Sequence, residues 1–152
     1  MAGVCFDTSI FIAYKPTRLP AGFLLSAVVV QEMTAGAADR AEVNSWGLFR
    51  QRYEGRGELL VPTGEQWWEA GHVLSALLRG EKHKAGGKTP KLHPDEKSRL
   101  VRDVLIAVTV KRANALLVTE NVDDFKTIRR FCKVRFQSGS DYFGHKPGRS
   151  AR

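Results

Sequence analysis

The chain has 152 residues, which suits one compact domain of ordinary size, and a hydrophobic fraction of 43% that can fill a core. Charged residues make up 26%, which argues against global disorder, and 24 Lys+Arg against 16 Asp+Glu give a formal charge of +8. A surface this basic attracts polyanions, with nucleic acid as the first candidate and an acidic protein as the second. Cys5 and Cys132 each stand beside a Phe, which suits buried thiols in a reducing cytoplasm rather than a disulfide framework. No apolar run approaches the ~20 residues that span a bilayer. Asp7 interrupts the early apolar run and no basic stretch precedes it, so no signal peptide is expected.

In chain order, "GVCF" is a short run of β-formers that predicts a strand ending at Asp7. "DTSIFIAYK" turns into a short helix stopped by Pro16. "FLLSAVVVQEMTAGA" begins as a strand and becomes helical near Val29. In "DRAEVNSWGLFRQRYEG", Val43, Trp46, Phe49 and Tyr53 recur every three or four positions, the spacing of an amphipathic helix. "LLVPT", residues 59 to 63, predicts a buried strand. "GEQWWEAGHVLSALLRG" is a second amphipathic helix, with Thr63 as its N-cap and Gln66 completing a capping box. The polar, glycine-containing stretch 80–94, "GEKHKAGGKTPKLHP", reads as a basic loop. "DEKSRLVRDVLIAVTVKRAN" is a long helix capped by Asp95 or Ser98, "ALLVTE" a buried strand and "VDDFKTIRRF" a short helix. "KVRFQS" alternates apolar and polar residues as an edge strand does. Strands alternating with helices predict an α/β domain with a mostly parallel central sheet over residues 1–140, followed by a basic, disordered tail over 141–152.

Active sites of open parallel sheets lie at the carboxyl ends of the strands, and carboxylates gather there. Asp7 ends the first strand, Glu32 follows the second apolar run, and Thr119, Glu120, Asn121, Asp123 and Asp124 follow "ALLV". Asp103 shares a helical face with Leu100, Ile106, Ala107 and Val110, and Glu32 lies among Val28, Val29 and Ala35. Each has an ordinary explanation: Asp7 as a helix cap, Glu32 on the helix dipole, Asp103 paired with a cation. Together, carboxylates at one rim repel each other and raise each other's pKa, and a divalent cation relieves that repulsion. Oxygen-only ligands suit Mg²⁺ or Mn²⁺. On a basic protein such a pocket fits phosphodiester hydrolysis.

The segments "VCFDTSIFI", "VVVQEM" and "RDVLIAVTVKRANALLVTENVDDF" resemble, in the same order, the PIN-domain nucleases, and among them the VapC-like toxins of type II toxin–antitoxin systems. The resemblance covers about residues 3 to 138. It implies a three-layer α/β/α PIN-like domain and a Mg²⁺- or Mn²⁺-dependent ribonuclease that leaves 5′-phosphate and 3′-hydroxyl ends. Asp7, Glu32 and Asp103 match the three regular acids, Ser9 the small hydroxyl after the first, and Thr119 the one at the last strand end. The fourth acid falls on Asn121 or on Asp124; Asp124 is preferred as the charged member, with Asn121 as a neutral ligand or water-positioner. The chain departs from the family in the 25 positions between Asp7 and Glu32, a short interval in which "KPTRLPAG" replaces a longer helix. The resemblance also implies an RNA substrate, a homodimer and a cognate antitoxin.

Competing motifs carry less. "GEKHKAGGKT" lacks the P-loop glycine, since position 82 is Lys, and it follows a helix rather than a strand. His72, His83, His93 and His145 have no zinc-site spacing. Trp67 and Trp68 predict one core residue and one at a subunit contact, because neighbours on a helix face different ways. A phosphotransfer receiver needs an acidic pair near the first strand, where "VCFDTS" has a single acid. The alternative from another class is a catalytically weak or inactive module that binds RNA or an antitoxin, and the neutral Asn121 keeps it open.

Overall fold

All the strands pair in parallel, as the alternation of strands and helices predicts. The computed structural model describes residues 3–15, 22–84, 86 and 92–148. In chain order the elements are β1 (Val4–Phe6), α1 (Thr8–Tyr14), β2 (Leu25–Ser26), α2 (Ala27–Ala35), α3 (Arg40–Gly55), β3 (Leu59–Leu60), α4 (Gly64–Lys84), α5 (Pro94–Arg112), β4 (Leu116–Thr119), α6 (Val122–Ile128), β5 (Arg135–Ser138) and α7 (Gly139–Phe143). One sheet has the order β1-β4-β5 and a second pairs β2 with β3. A parallel bridge between Cys5 and Leu24 joins them, and the Leu24 amide donates to the Val4 carbonyl at 2.7 Å. Across that bridge the order is β3-β2-β1-β4-β5. From β1 the chain builds outward to one side through β2 and β3, then returns to build β4 and β5 on the other. The order therefore reverses between β1 and β4, and a crevice at such a point is where open α/β sheets bind ligands.

Register aligns the crevice. Val4, Cys5 and Phe6 pair with Leu116, Leu117 and Val118. One residue on, Asp7 stands level with Thr119, and its amide continues the ladder to the Val118 carbonyl at 3.0 Å. The core is packed from both sides. Val104, Ile106, Ala107, Val108 and Val110 of α5 are fully buried, so this helix is apolar around most of its circumference and lies inside the molecule. An aromatic cluster of Phe6, Phe11, Phe23, Trp46, Phe49 and Tyr53 ties α1 and α3 to the sheet, with ring centroids 4.8–6.4 Å apart. Phe143 of α7 stacks on Phe6 at 5.7 Å. Antiparallel α4 and α5 are clamped by Glu69, which holds Arg112 Nε at 2.8 Å and Lys111 Nζ at 3.3 Å. Both cysteines are buried and free.

The helix signals read from sequence are mostly in place. Thr63 and Gln66 form the reciprocal capping box, at 3.1 and 3.2 Å. β5 is the edge strand. Several details differ. α4 runs on through Lys84 instead of ending at Gly80, because Glu81, Lys82 and Lys84 are good helix formers despite their polarity. Residues 85 and 87–91 of the expected loop, and 16–21 of "KPTRLPAG", lie outside the described residues. β3 is two residues long, since Val61 is exposed and Pro62 has no amide to donate. The cap of α5 is His93, whose Nδ1 accepts from the Asp95 amide, with Pro94 in the first turn. Trp67 and Trp68 are both exposed, at 56% and 67%, so neither is a core residue, and Val43 is exposed as well. α7, Gly139–Phe143, extends into residues 141–143, the start of the stretch expected to be a disordered tail. Among the described residues no helix is long and apolar enough to cross a membrane.

Candidate active site at the carboxyl ends of the strands

Asp7 leaves β1 in extended conformation and caps α1, accepting the Ser9 amide at 2.9 Å. Its other oxygen accepts from Ser9 Oγ at 3.2 Å and from Thr119 Oγ1 in a short contact across the β1–β4 step. Ser9 Oγ in turn accepts the Glu120 amide at 2.9 Å, and Thr119 Oγ1 accepts the Asn121 amide at 2.9 Å. The two hydroxyls therefore lock the end of β4 to the start of α1 and fix the carboxylate between them. Asp7 is 1% exposed. Burial raises its pKa, against the lowering effect of these hydrogen bonds, and the Asp124 charge adds to the rise.

Ser26 caps α2, with its Oγ accepting the Val28 and Val29 amides. That start delivers Glu32 to the crevice on the second turn, where Oε1 accepts from Thr8 Oγ1 at 3.1 Å and Oε2 lies 3.3 Å from Arg102 Nε. Burial raises the Glu32 pKa and Arg102 opposes it. Asp103, on the buried helix α5, is 5% exposed, and among the described residues it accepts no hydrogen bond and forms no ion pair. Its pKa is pushed up to about 8, first by burial and then by the charges of Asp7, Asp124 and Glu32. Asp103 and Asp124 line a cleft of about 160 Å³ together with Leu92, Glu96, Arg99 and Leu100. Asp124, in the first turn of α6, lies 3.9 Å from Arg99 Nε.

The four carboxylates named from the sequence act on one another electrostatically, and two of them, Asp103 and Asp124, line one cleft. Ser9 and Thr119 support Asp7 directly. Asn121 is the N-cap residue of α6, yet its side chain makes no capping bond. Asp124 is the acid after β4 that shares the cleft with Asp103. Sequence reasoning missed Thr8, Arg99 and Arg102. The signal available was spacing: Arg99 lies one turn before Asp103, and Arg102 lies beside it.

A hard divalent cation fits this site in the kind of its donors, which are all oxygens, and in charge. Asp103 is the observation that decides the fit: a nearly buried carboxylate whose pKa three other carboxylates raise, opposed only by the more distant Arg99 charge, and without an ion pair among the described residues. The side chains are not closed around a single point, since among the described residues no three of His, Cys, Asp or Glu are gathered closely enough to ligate one ion. Glu32 and Asp124 lie against Arg102 and Arg99 instead.

No protein-family model matches the sequence, and no curated protein matches it. Solved structures do match the fold. The DNA-bound VapBC structure from Salmonella typhimurium aligns with a TM-score of 0.54 at 18% identity, over 91% of this chain and 98% of its own. VapBC-1 from nontypeable Haemophilus influenzae gives 0.54 at 18%, over 89% and 96%. FitAB bound to an IR36 DNA fragment gives 0.54 at 17%, over 89% and 94%. The chain has the PIN-like fold. Between β1 and β4, where the strand order reverses, Asp7 and Thr119 stand side by side.

Proposed function

We propose that this PIN-like chain is a Mg²⁺- or Mn²⁺-dependent endoribonuclease, the toxin of a VapBC-like toxin–antitoxin pair, acting in the cytoplasm as a homodimer. The observation that carries the reading is the set of four electrostatically coupled carboxylates, with Asp103 buried and without a hydrogen bond or ion pair among the described residues, on a protein of charge +8. The likeness to VapBC and FitAB assemblies supports an antitoxin partner.

Asp7, Glu32, Asp103 and Asp124 would hold the cation. When bound, such an ion polarises a phosphodiester and lowers the pKa of water. The chain's own residues do the rest. Ser9 and Thr119 hold the Asp7 carboxylate in one orientation. Thr8 does the same for Glu32. Arg99 and Arg102, both partly exposed at the crevice, have guanidinium groups able to leave a carboxylate for an RNA phosphate, which they bind through two parallel hydrogen bonds. Leu92 and Leu100 form the apolar part of the cleft wall.

The test is cleavage of a structured RNA by purified, antitoxin-free protein, with Mn²⁺ and with EDTA. Cleavage that needs Mn²⁺ and is abolished by Asp7→Asn supports the reading. RNA binding with no cleavage under either condition overturns it in favour of a binding-only module, in which Arg99 and Arg102 permanently neutralise Asp124 and Glu32.

A further inference from the structure

The acidic crevice leaves the most basic stretch of the chain unexplained. From Lys126 to Arg135, "KTIRRFCKVR", half the residues are Lys or Arg and none is acidic. Lys126, Arg129, Arg130, Lys133 and Arg135 are all exposed, while Ile128, Cys132 and Val134 between them are 0–1% exposed. The apolar residues anchor the turn from α6 into β5 and direct the cations outward. Among the described residues none of the five pairs with a carboxylate, in contrast to Lys111 and Arg112, which are held by Glu65 and Glu69. Aromatic rings accompany them. The Arg129 guanidinium lies 5.4 Å from the Phe136 ring centre, and that of Arg130 lies 5.5 Å from Phe131, which is 42% exposed.

Simpler roles account for part of this. A cation at the end of α6 complements the helix dipole. A charge on an edge strand discourages pairing with another chain. Arg129 and Arg135 satisfy both needs, and Arg135 also donates to the Asn114 carbonyl at 3.0 Å. Lys126, in the last turn of α6, serves the dipole as well, so Arg130 and Lys133 are surplus to them.

We propose that the α6–β5 corner binds the phosphodiester backbone of RNA, as a contact surface apart from the acidic crevice. The choice of RNA among polyanions rests on the ribonuclease reading; the surface itself does not. Arg130 lies in the turn just past α6, the helix whose first turn carries Asp124. The corner opens β5 beside Leu116, one strand length from the crevice at Thr119, so an RNA of several nucleotides is long enough to touch both, its phosphates on the cations and a base on Phe131.

The test is fluorescence anisotropy of a labelled RNA hairpin with a single-stranded tail, titrated with the full chain in EDTA at several salt concentrations. Arg130→Gln/Lys133→Gln is compared with Arg40→Gln/Arg52→Gln on α3, which removes the same charge elsewhere. The corner pair is expected to weaken binding at least fivefold at low salt and to flatten the slope of log K against log salt by about 1.5, as two lost phosphate contacts require. The α3 pair is expected to change affinity less than twofold. Equal losses in both pairs, or none in the corner pair, overturn the proposal. So does tighter binding of a poly-glutamate peptide than of RNA, which assigns the corner to an acidic protein. Duplex DNA of equal length, bound as tightly as the hairpin, keeps the backbone contact but removes RNA as its source. Should the double variant lose its helical circular dichroism, Lys133→Gln alone reads the same slope, with about half the change. Binding by the corner without any Mn²⁺-dependent cleavage contradicts the ribonuclease reading alone. Unimpaired cleavage and binding by the corner variant contradict this proposal alone.

Discussion

Asp7 is both a helix cap and a member of the acidic set, and the two roles reinforce each other. Capping α1 fixes its backbone, and the hydroxyls of Ser9 and Thr119 fix its carboxylate. Thr119→Val removes one of these bonds and leaves a buried carboxylate short of a donor, at a cost of about 1–3 kcal/mol in urea unfolding. Asp103 behaves differently, because no donor stabilises it. In the folded chain its carboxyl keeps a proton up to about pH 8, whereas an ordinary one releases it near 3.8. Over that interval the folded state holds more protons than the unfolded state. The contribution to stability is therefore complete at low pH and lost as pH rises through about 8. Metal-free protein is expected to lose on the order of 3 kcal/mol between pH 5.5 and 8.5, and Asp103→Asn to lose markedly less. If Asp103→Asn instead lowers stability at every pH, Asp103 is a structural partner and not a metal ligand. These two acids were legible in the sequence because each interrupts an apolar run. Arg99 and Arg102 were not, because a guanidinium among 24 cations carries no such contrast.

At the scale of elements, local signals were readable where a side chain closes on its own backbone. Thr63 and Gln66 announced the start of α4, and Thr63→Ala is expected to lower the thermal midpoint at a cost of about 1 kcal/mol. Signals that depend on tertiary packing were not readable. α7 is five residues long and polar at its start, yet Phe143 packs on Phe6 and Tyr14. Its first residue, Gly139, is pressed against α1: a Cβ there would lie 2.6 Å from Tyr14 Cε2 and 2.9 Å from Ile10 Cδ1, and would also meet Glu120 Oε1. Gly139→Ala is expected to cost about 1–3 kcal/mol in urea unfolding, despite the better helix propensity of Ala. A neutral or stabilising effect contradicts this close packing of α7. The two-residue strands β2 and β3 were over-read for a related reason, since apolar runs around them continue into helix or surface.

The whole molecule explains why distant residues meet. The strand order reverses between β1 and β4, so the crevice collects the end of β1, the end of β4 and the helices that flank them. Asp7, Glu32, Asp103 and Asp124 are spread over 118 positions and converge through that topology. The alternation of strands and helices predicted the parallel sheet, while the pairing of Glu32 with Arg102 and of Asp124 with Arg99 depends on side-chain packing that no periodicity encodes. The central claim is that the four carboxylates take one kind of ligand, a divalent cation. Its most direct test is the electron paramagnetic resonance signal of free Mn²⁺, titrated with wild-type protein and with Asp7→Asn and Asp103→Asn at pH 7.5. Saturable loss of the signal is expected with wild type, competed by Mg²⁺, and at least tenfold weaker binding in both variants. Wild-type protein that leaves the signal unchanged, or variants that bind Mn²⁺ as tightly as wild type, would contradict it.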